Sequence, residues 1–339
     1  MAKIASGGMA NVYLGRARPR DSGEHPDKAD NGVDHMVAIK VPLHELSQDD
    51  QGIKMFLDEA KILSRLSHPN LIRTVGYGTT GDYHFIAMEL LVGRTLMDVW
   101  DTCAGLKVAM RLDMSAWIIA RVAEGLHYAH ELTDSSGSSL GIIHRDVNPS
   151  NIFLTYAGEI KLFDFGLAKS VGRSSKSQAG IVKGKLPYLS PEQILQMPID
   201  RRSDLFTLGT TLWEMTTMRR LFRRENDIAT VKAVRSAPIP DPRTVVRGYP
   251  DELANIVIRA LDREPDRRYA TAADLGRELD AFVKRTSKGV DMSALTPAML
   301  DRLFPGDRAR QVGWLRRRTT PPPLEPVVEK QRPVKRKSP

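Results

Sequence analysis

The 339-residue chain predicts an α+β fold in two lobes followed by a basic tail, and three observations carry that prediction. Short period-2 patterns are confined to the part before Gly93, long period-3.6 patterns dominate after it, and proline and basic residues crowd the end. The first strand pattern is Val12-Tyr13-Leu14 and the second is Met36 to Val41, separated by a polar loop from Arg18 to Asp34. Next, Ile53, Phe56, Leu57, Ala60, Leu63 and Leu66 fall at helical spacing behind Asp49 and Asp50, which suit a helix N-cap, and His68-Pro69-Asn70 ends the run. Two further strands are expected at Leu71 to Tyr77 and Tyr83 to Leu91. Helices are expected at Ser115 to Leu132, Asp204 to Met218, Asp251 to Leu261 and Ser293 to Phe304, with a serine- and glycine-rich flexible insertion from Thr133 to Gly141.

Composition excludes several classes. With 41% hydrophobic and 27% charged residues the chain matches an ordinary globular protein. One cysteine, Cys103, allows no internal disulfide and fits a reducing compartment. No run of roughly 18 apolar residues is present to span a bilayer, and no apolar signal core opens the chain, so a cytoplasmic protein without a membrane span is expected. The net charge of +9 is not spread over a fold: Pro305 to Pro339 holds ten Lys or Arg against three Asp or Glu, leaving +2 for everything before it. That segment has seven prolines and too little apolar surface to fold alone, so it is expected to be disordered beyond about Thr319. It reads either as a solvated tail or as an electrostatic arm for acidic cytoplasmic regulators, with weak nucleic-acid binding as a lesser role.

The chemistry lies in the octet His144-Arg145-Asp146-Val147-Asn148-Pro149-Ser150-Asn151 and in Asp164-Phe165-Gly166 beyond it. Asp146 is spaced to accept a proton from an incoming hydroxyl, while Asn151 and Asp164 are spaced to hold a divalent metal on a nucleoside triphosphate. Lys40, in Val37-Ala38-Ile39-Lys40, can reach the phosphates from a strand, and Glu59 on the following helix is the residue type to pair with it. By order and spacing these residues resemble the eukaryotic-like protein kinases, in particular the bacterial serine/threonine members. Ser190-Pro191-Glu192, Arg202-Ser203-Asp204 and Glu264-Pro265-Asp266-Arg267-Arg268 extend the resemblance over about Ile4 to Phe282.

The resemblance implies a bilobal kinase fold with a small β-rich N-lobe (1–91) and a larger helical C-lobe (92–285), a helical extension at 286–305 and a disordered tail at 306–339. It implies ATP with Mg²⁺ or Mn²⁺ as cofactors, protein substrates, and phosphoryl transfer to serine or threonine, including autophosphorylation. Met88 would guard the rear of the nucleotide pocket. The backbone of Glu89 and Leu91 would pair with adenine, with Val12 and Ala38 above the ring and Phe153 below it. Glu192 would pair with Arg268, and Asp204 would accept N–H bonds from the catalytic loop. Arg145 would await a phosphate on the activation segment, where Ser170, Ser174, Ser175 and Ser177 are the available hydroxyls.

Four departures qualify that picture. The phosphate loop reads Ala5-Ser6-Gly7-Gly8-Met9-Ala10, so of the three spaced glycines in relatives only the middle one, Gly7, is kept, with Gly8 beside it; weaker nucleotide binding is expected. Only four residues precede the loop, so either the first strand is truncated or the natural start lies upstream, the second reading being slightly preferred. Asn148 stands where serine/threonine kinases place lysine in the catalytic set, which removes a positive charge from the transferring phosphoryl group and predicts slow turnover. Lys185 stands where they place threonine, leaving acceptor preference open. A pseudokinase scaffold is the alternative function, and a kinase for small-molecule alcohols is a third, disfavoured one.

Overall fold

In the computed structural model, residues 2–7, 10–17, 35–43, 50–81, 83–166 and 185–316 are described. Gly8, the loop 18–34, Asp49, the four activation-segment serines and the tail from 317 lie outside them.

The N-terminal part is an antiparallel five-stranded sheet in the order β1-β2-β3-β5-β4. Its strands are β1 (Ala2–Ser6), β2 (Ala10–Ala17), β3 (His35–Pro42), β4 (Thr74–Thr80) and β5 (Tyr83–Glu89). The edge strand β1 has five residues against eight in β2 and pairs with it from Leu14 to Asn11, with a register shift between Lys3 and Ala5. Helix α1 (Asp50–Leu63) packs Phe56, Ala60 and Leu63 into the core, so Glu59 on the same face is carried inward with them.

The strand expected from Leu71 starts only at Thr74. Residues 70–72 instead bond to the other lobe: the Ile72 N–H donates to Leu162 O at 3.0 Å, and the Leu162 N–H donates to Asn70 O at 2.8 Å. Leu71 and Ile72 are buried, so the apolar run that resembled a strand is an anchor between lobes.

A three-stranded sheet, β6 (Gly93–Thr95), β7 (Ile152–Thr155) and β8 (Ile160–Leu162), lies at the start of the helical part. Helices α2 (Leu96–Leu106), α3 (Leu112–His130), α4 (Pro191–Leu195), α5 (Arg202–Thr217), α6 (Asp227–Ser236), α7 (Pro242–Val245), α8 (Asp251–Ala260), α9 (Ala272–Thr286) and α10 (Met292–Leu303) follow. The core runs through α3, α5, α8 and α9; α9 lies along α3, where Gly276 faces Ala120 and Ala123 and Arg121 pairs with Asp280 at 2.6 Å. The 133–141 segment, expected as a flexible insertion, is a hydrogen-bonded turn in which Asp134 accepts the N–H groups of Ser136 and Ser138 at 2.8 and 3.0 Å. An aspartate followed by small polar residues favours this closed turn.

The tail expected at 306–339 begins with a helix, α11 (Asp307–Arg316), which corrects that boundary. Asp307 is buried between Arg94 (2.6 and 2.8 Å), Tyr156 (3.0 Å) and Arg310 (2.6 Å). Gln311 accepts the Gly93 N–H and donates to Gly93 O, both at 2.9 Å. Only glycine fits there, because a Cβ on Gly93 would lie 2.0 Å from Leu154 O. Composition averaged over the segment hid this polar first turn, whose Asp307 and Gln311 are bonded to Arg94, Tyr156 and Gly93. Among the described residues, no helix is long and apolar enough to cross a membrane.

Candidate functional site

The site gathers side chains from β3, α1, the 144–151 loop, the 163–166 segment and the turn at Leu186–Tyr188. Lys40 sits in β3 opposite Val12 of β2 and Ile86 of β5. Its ammonium lies 3.3 Å from Glu59 Oε1 and 2.8 Å from Asp164 Oδ1, joining the two lobes through one cation. Burial alone would lower the lysine's pKa, yet the two carboxylates outweigh it and hold the value above the ordinary range. Asp164 answers in the opposite sense: burial pushes its carboxyl up, but Lys40 and then Lys185 and His144 hold it below its usual value. Asp164 has φ 58, an αL conformation that turns its carboxylate out of the extended line set by β8.

The 144–151 loop is held rigidly from beneath by Asp204, at the start of α5. Its carboxylate accepts the backbone N–H groups of His144 and Arg145, both at 2.8 Å, and a third contact from His130 Nε2 at 2.8 Å. Burial raises the Asp204 carboxyl, and these donors overcome it, so the group stays charged. His144 is fully buried, packs on Phe165 with ring centroids 4.4 Å apart, and contacts Phe163 O at 3.1 Å through Nε2. Burial lowers its pKa, so it remains a neutral packing element rather than a base.

Within this loop two amides converge on Asp146. Asn151 Nδ2 donates to Asp146 O at 2.8 Å, which fixes the amide and leaves its oxygen as the ligating end. Asn148 Nδ2 donates to Asp146 O at 2.8 Å and to Asp146 Oδ1 at 3.3 Å, while Asn148 Oδ1 accepts the Ser150 N–H at 2.9 Å. Asn148 is therefore buried and occupied at both ends. The other carboxylate oxygen of Asp146 pairs with the Lys185 ammonium.

The rear of the cleft follows from strand register. Ala38 pairs with Met88 across β3 and β5, and both are buried. The Glu89 N–H donates to Arg73 O at 3.0 Å, and the Glu89 carboxylate accepts the Arg73 N–H at 2.8 Å and faces Lys161 at 3.1 Å. Phe153 in β7 is half-buried against Phe163, with centroids 6.3 Å apart. Leu91 is half-buried beyond the end of β5, and Val12 half-buried in β2. Gly7 closes a turn by donating its N–H to Ala10 O at 2.9 Å; its neighbour Gly8 lies outside the described residues.

Below the cleft, Arg268 and Glu192 form a fully buried bidentate pair at 2.7 and 3.0 Å, with Ser203 on the same carboxylate at 2.5 Å. A model of the protein kinase domain matches residues 26–277, most of the chain. The chain belongs to the protein kinase family.

Among relatives, this chain is 34% identical over 287 residues to the tyrosine-protein kinase MasK of Myxococcus xanthus, a match covering 85% of this chain and 43% of that protein. It is 31% identical over 283 residues to the serine/threonine-protein kinase PknL of Mycobacterium tuberculosis, covering 84% and 65%. With PrkC of Bacillus subtilis the identity is 30% over 276 residues, covering 81% and 39%. The chain thus spans less than two thirds of the length of each. The crystal structure of the M. tuberculosis PknI kinase domain shares the fold, with a TM-score of 0.57 at 23% identity over 83% of this chain and 94% of that one.

Sequence reading placed Lys40, Glu59, Asp146, Asn151 and Asp164 in one cleft; the contacts above join Lys40 to Glu59 and Asp164, and Asn151 to Asp146. It took Asn148 and Lys185 as separate departures and missed that both meet Asp146. It also missed the links from Asp307 and Gln311 to β6. The available signal for the first miss was the lost cation at one position and the gained cation at another.

Proposed function

We propose that this kinase transfers the γ-phosphoryl group of ATP to serine or threonine hydroxyls of proteins, itself included. The observation that carries the reading is the Lys40 ammonium shared by Glu59 and Asp164 while Asn148 and Asn151 hold Asp146 in place. Lys40 would grip the α- and β-phosphates, Glu59 would keep it aimed, and Asp146 would orient the acceptor hydroxyl and take its proton. Adenine would lie between Val12 and Ala38 on one side and Phe153 on the other, with Met88 behind it. The Glu89 N–H is already bonded to Arg73, so Glu89 would offer its carbonyl and Leu91 its N–H to the base edge. Gly7 and Gly8 would cover the phosphates.

A hard divalent cation such as Mg²⁺ suits the donors present, an Asp164 carboxylate and the amide oxygen of Asn151, both oxygen ligands that leave room for phosphate and water. It would neutralise charge on the β- and γ-phosphates. The intact acids favour catalysis over the scaffold reading, since a scaffold has no use for a lysine held at two carboxylates.

A tyrosine acceptor is the second reading, favoured by the 34% identity to a protein named as a tyrosine kinase and by Lys185 in the acceptor-docking segment. The test is transfer of labelled γ-phosphate with Mg²⁺ or Mn²⁺ to the protein itself and to a generic basic protein, beside Asp146→Asn, followed by phosphoamino-acid analysis. Label on serine or threonine that the variant loses by about 100-fold or more supports the first reading; label on tyrosine supports the second. Nucleotide binding with no transfer would leave the scaffold.

A further inference from the structure

Lys185 and Asn148 are 37 positions apart in the sequence and converge on the carboxyl group of Asp146. Asn148 is neutral, buried and committed at both ends of its amide, so it supplies orientation but no charge. The Lys185 ammonium pairs with the other carboxylate oxygen of Asp146, and its field also reaches Asp164. It therefore lies in the space between the acid that faces an acceptor and the acid that faces metal-bound phosphate. A third of the Lys185 side chain stays exposed.

The backbone that presents Lys185 is firmly tied down. Its carbonyl accepts the Tyr188 N–H at 3.0 Å, and the Tyr188 hydroxyl donates to Glu214 at 2.7 Å inside a buried cluster with Arg220. Two residues on, Ser190 and Gln193 form a reciprocal helix cap, and Gln193 Nε2 donates to Arg145 O at 2.9 Å. The docking turn and the 144–151 loop are thus one hydrogen-bonded unit, and Lys185 reaches the site from a fixed base.

We propose that Lys185 is a catalytic residue that supplies, from the docking segment, the positive charge that Asn148 leaves out of the catalytic loop. This rests on the phosphoryl-transfer reading above. In the step, the acceptor oxygen bonds to the γ-phosphorus as the bond to the β–γ bridging oxygen breaks. The hydroxyl proton passes to Asp146, and the electron pair of the broken bond leaves with ADP. Lys185 moves from its resting contact on Asp146 to the equatorial oxygens of the transferring group as the hydroxyl takes its place, so its charge is felt most in the transition state. Slow turnover is then not required by Asn148, because the charge has changed its point of attachment rather than vanished.

The experiment compares the full chain with Lys185→Met, Lys185→Arg and the double variant Lys185→Met/Asn148→Lys, measuring kcat, KM for ATP and melting temperature. Loss of one preorganised charge is expected to lower kcat about 100-fold in Lys185→Met, with KM for ATP within about twofold. Lys185→Arg retains more activity than Lys185→Met, and Asn148→Lys in the Met background recovers about tenfold or more, because the charge returns by the other route. Lys185→Met with kcat within about threefold of the parent chain would overturn the proposal. So would a double variant that melts like the parent and recovers nothing. A parent chain that transfers no phosphate, like its Asp146→Asn control, would instead remove the phosphoryl-transfer reading and this inference with it.

Discussion

Two charge clusters in this chain, one buried and one partly open to solvent, use the same chemistry to opposite ends. Under the cleft, Arg268 donates to both oxygens of Glu192, to Asp262 O, to Arg202 O and to Arg263 O, while Ser203 completes the carboxylate. The Arg268 side chain has no solvent exposure, and its planar fork suits several fixed acceptors at once. Burial alone would push the Glu192 carboxyl up, but Arg268 and Ser203 hold it below its ordinary value. In the cleft, Lys40 is a single ammonium shared by two acids, and Asp164 is 45% exposed at its side chain. One cluster is saturated and dry; the other leaves the Asp164 carboxylate partly exposed. An ion pair can therefore be a rivet or a handle, and the access of solvent to its charges distinguishes them.

Removing the rivet should have the largest effect. Arg268→Ala leaves Glu192 charged in a dry pocket and is expected to cost about 3–5 kcal/mol of stability, read from urea unfolding. A loss below about 1 kcal/mol would erase the distinction, since that is what an exposed pair contributes.

Cutting the handle should separate activity from stability. Lys40→Met is expected to lower kcat about 100-fold, about 2.7 kcal/mol of barrier, while the melting temperature stays close to that of the parent. An equal loss of folding stability would show that Lys40 is a rivet too.

The smallest effect is expected at the junction between α11 and β6, where a third cluster has both characters. Burial pushes the Asp307 carboxyl up, but Arg94, Arg310 and Tyr156 outweigh it and bring it to about 2. Tyr156, for its part, is pushed up to about 12 by burial and by this carboxylate. Because the folded value lies below the ~3.9 of an unfolded aspartate, the stabilisation is complete above about pH 4 and is lost as pH falls toward 2. Hydrogen exchange at the Gly93 amide and along α11 should therefore speed up in acid. Asp307→Asn should raise exchange at neutral pH, consistent with a loss of about 1–3 kcal/mol for a buried charged hydrogen bond. Unchanged exchange in that variant would show that Gln311 alone holds the helix.

Much of the architecture was legible because local physics sets it. The apolar spacing from Ile53 to Leu63 makes a helix whose buried face carries Glu59, and the alternation around Lys40 makes a strand in register with Val12 and Ile86. Leu71 misled because an apolar run reads the same whether it pairs within a sheet or anchors one lobe to the next. The docked helix α11 was masked by the charge of the residues behind it. Lys185 could not be assigned, because its partner lies 39 residues away and pairing at that range leaves no periodic trace.

Residue order alone determined the family, the two-part α+β layout and the acids, amides and lysine of the cleft, since these follow from spacing along single loops and elements. The tertiary structure decided which charges meet. It brought Lys185 onto Asp146 and seated Asp307 and Gln311 against Gly93. Each of these contacts joins segments far apart in sequence, where energy depends on distance through space and on the solvent excluded between the groups.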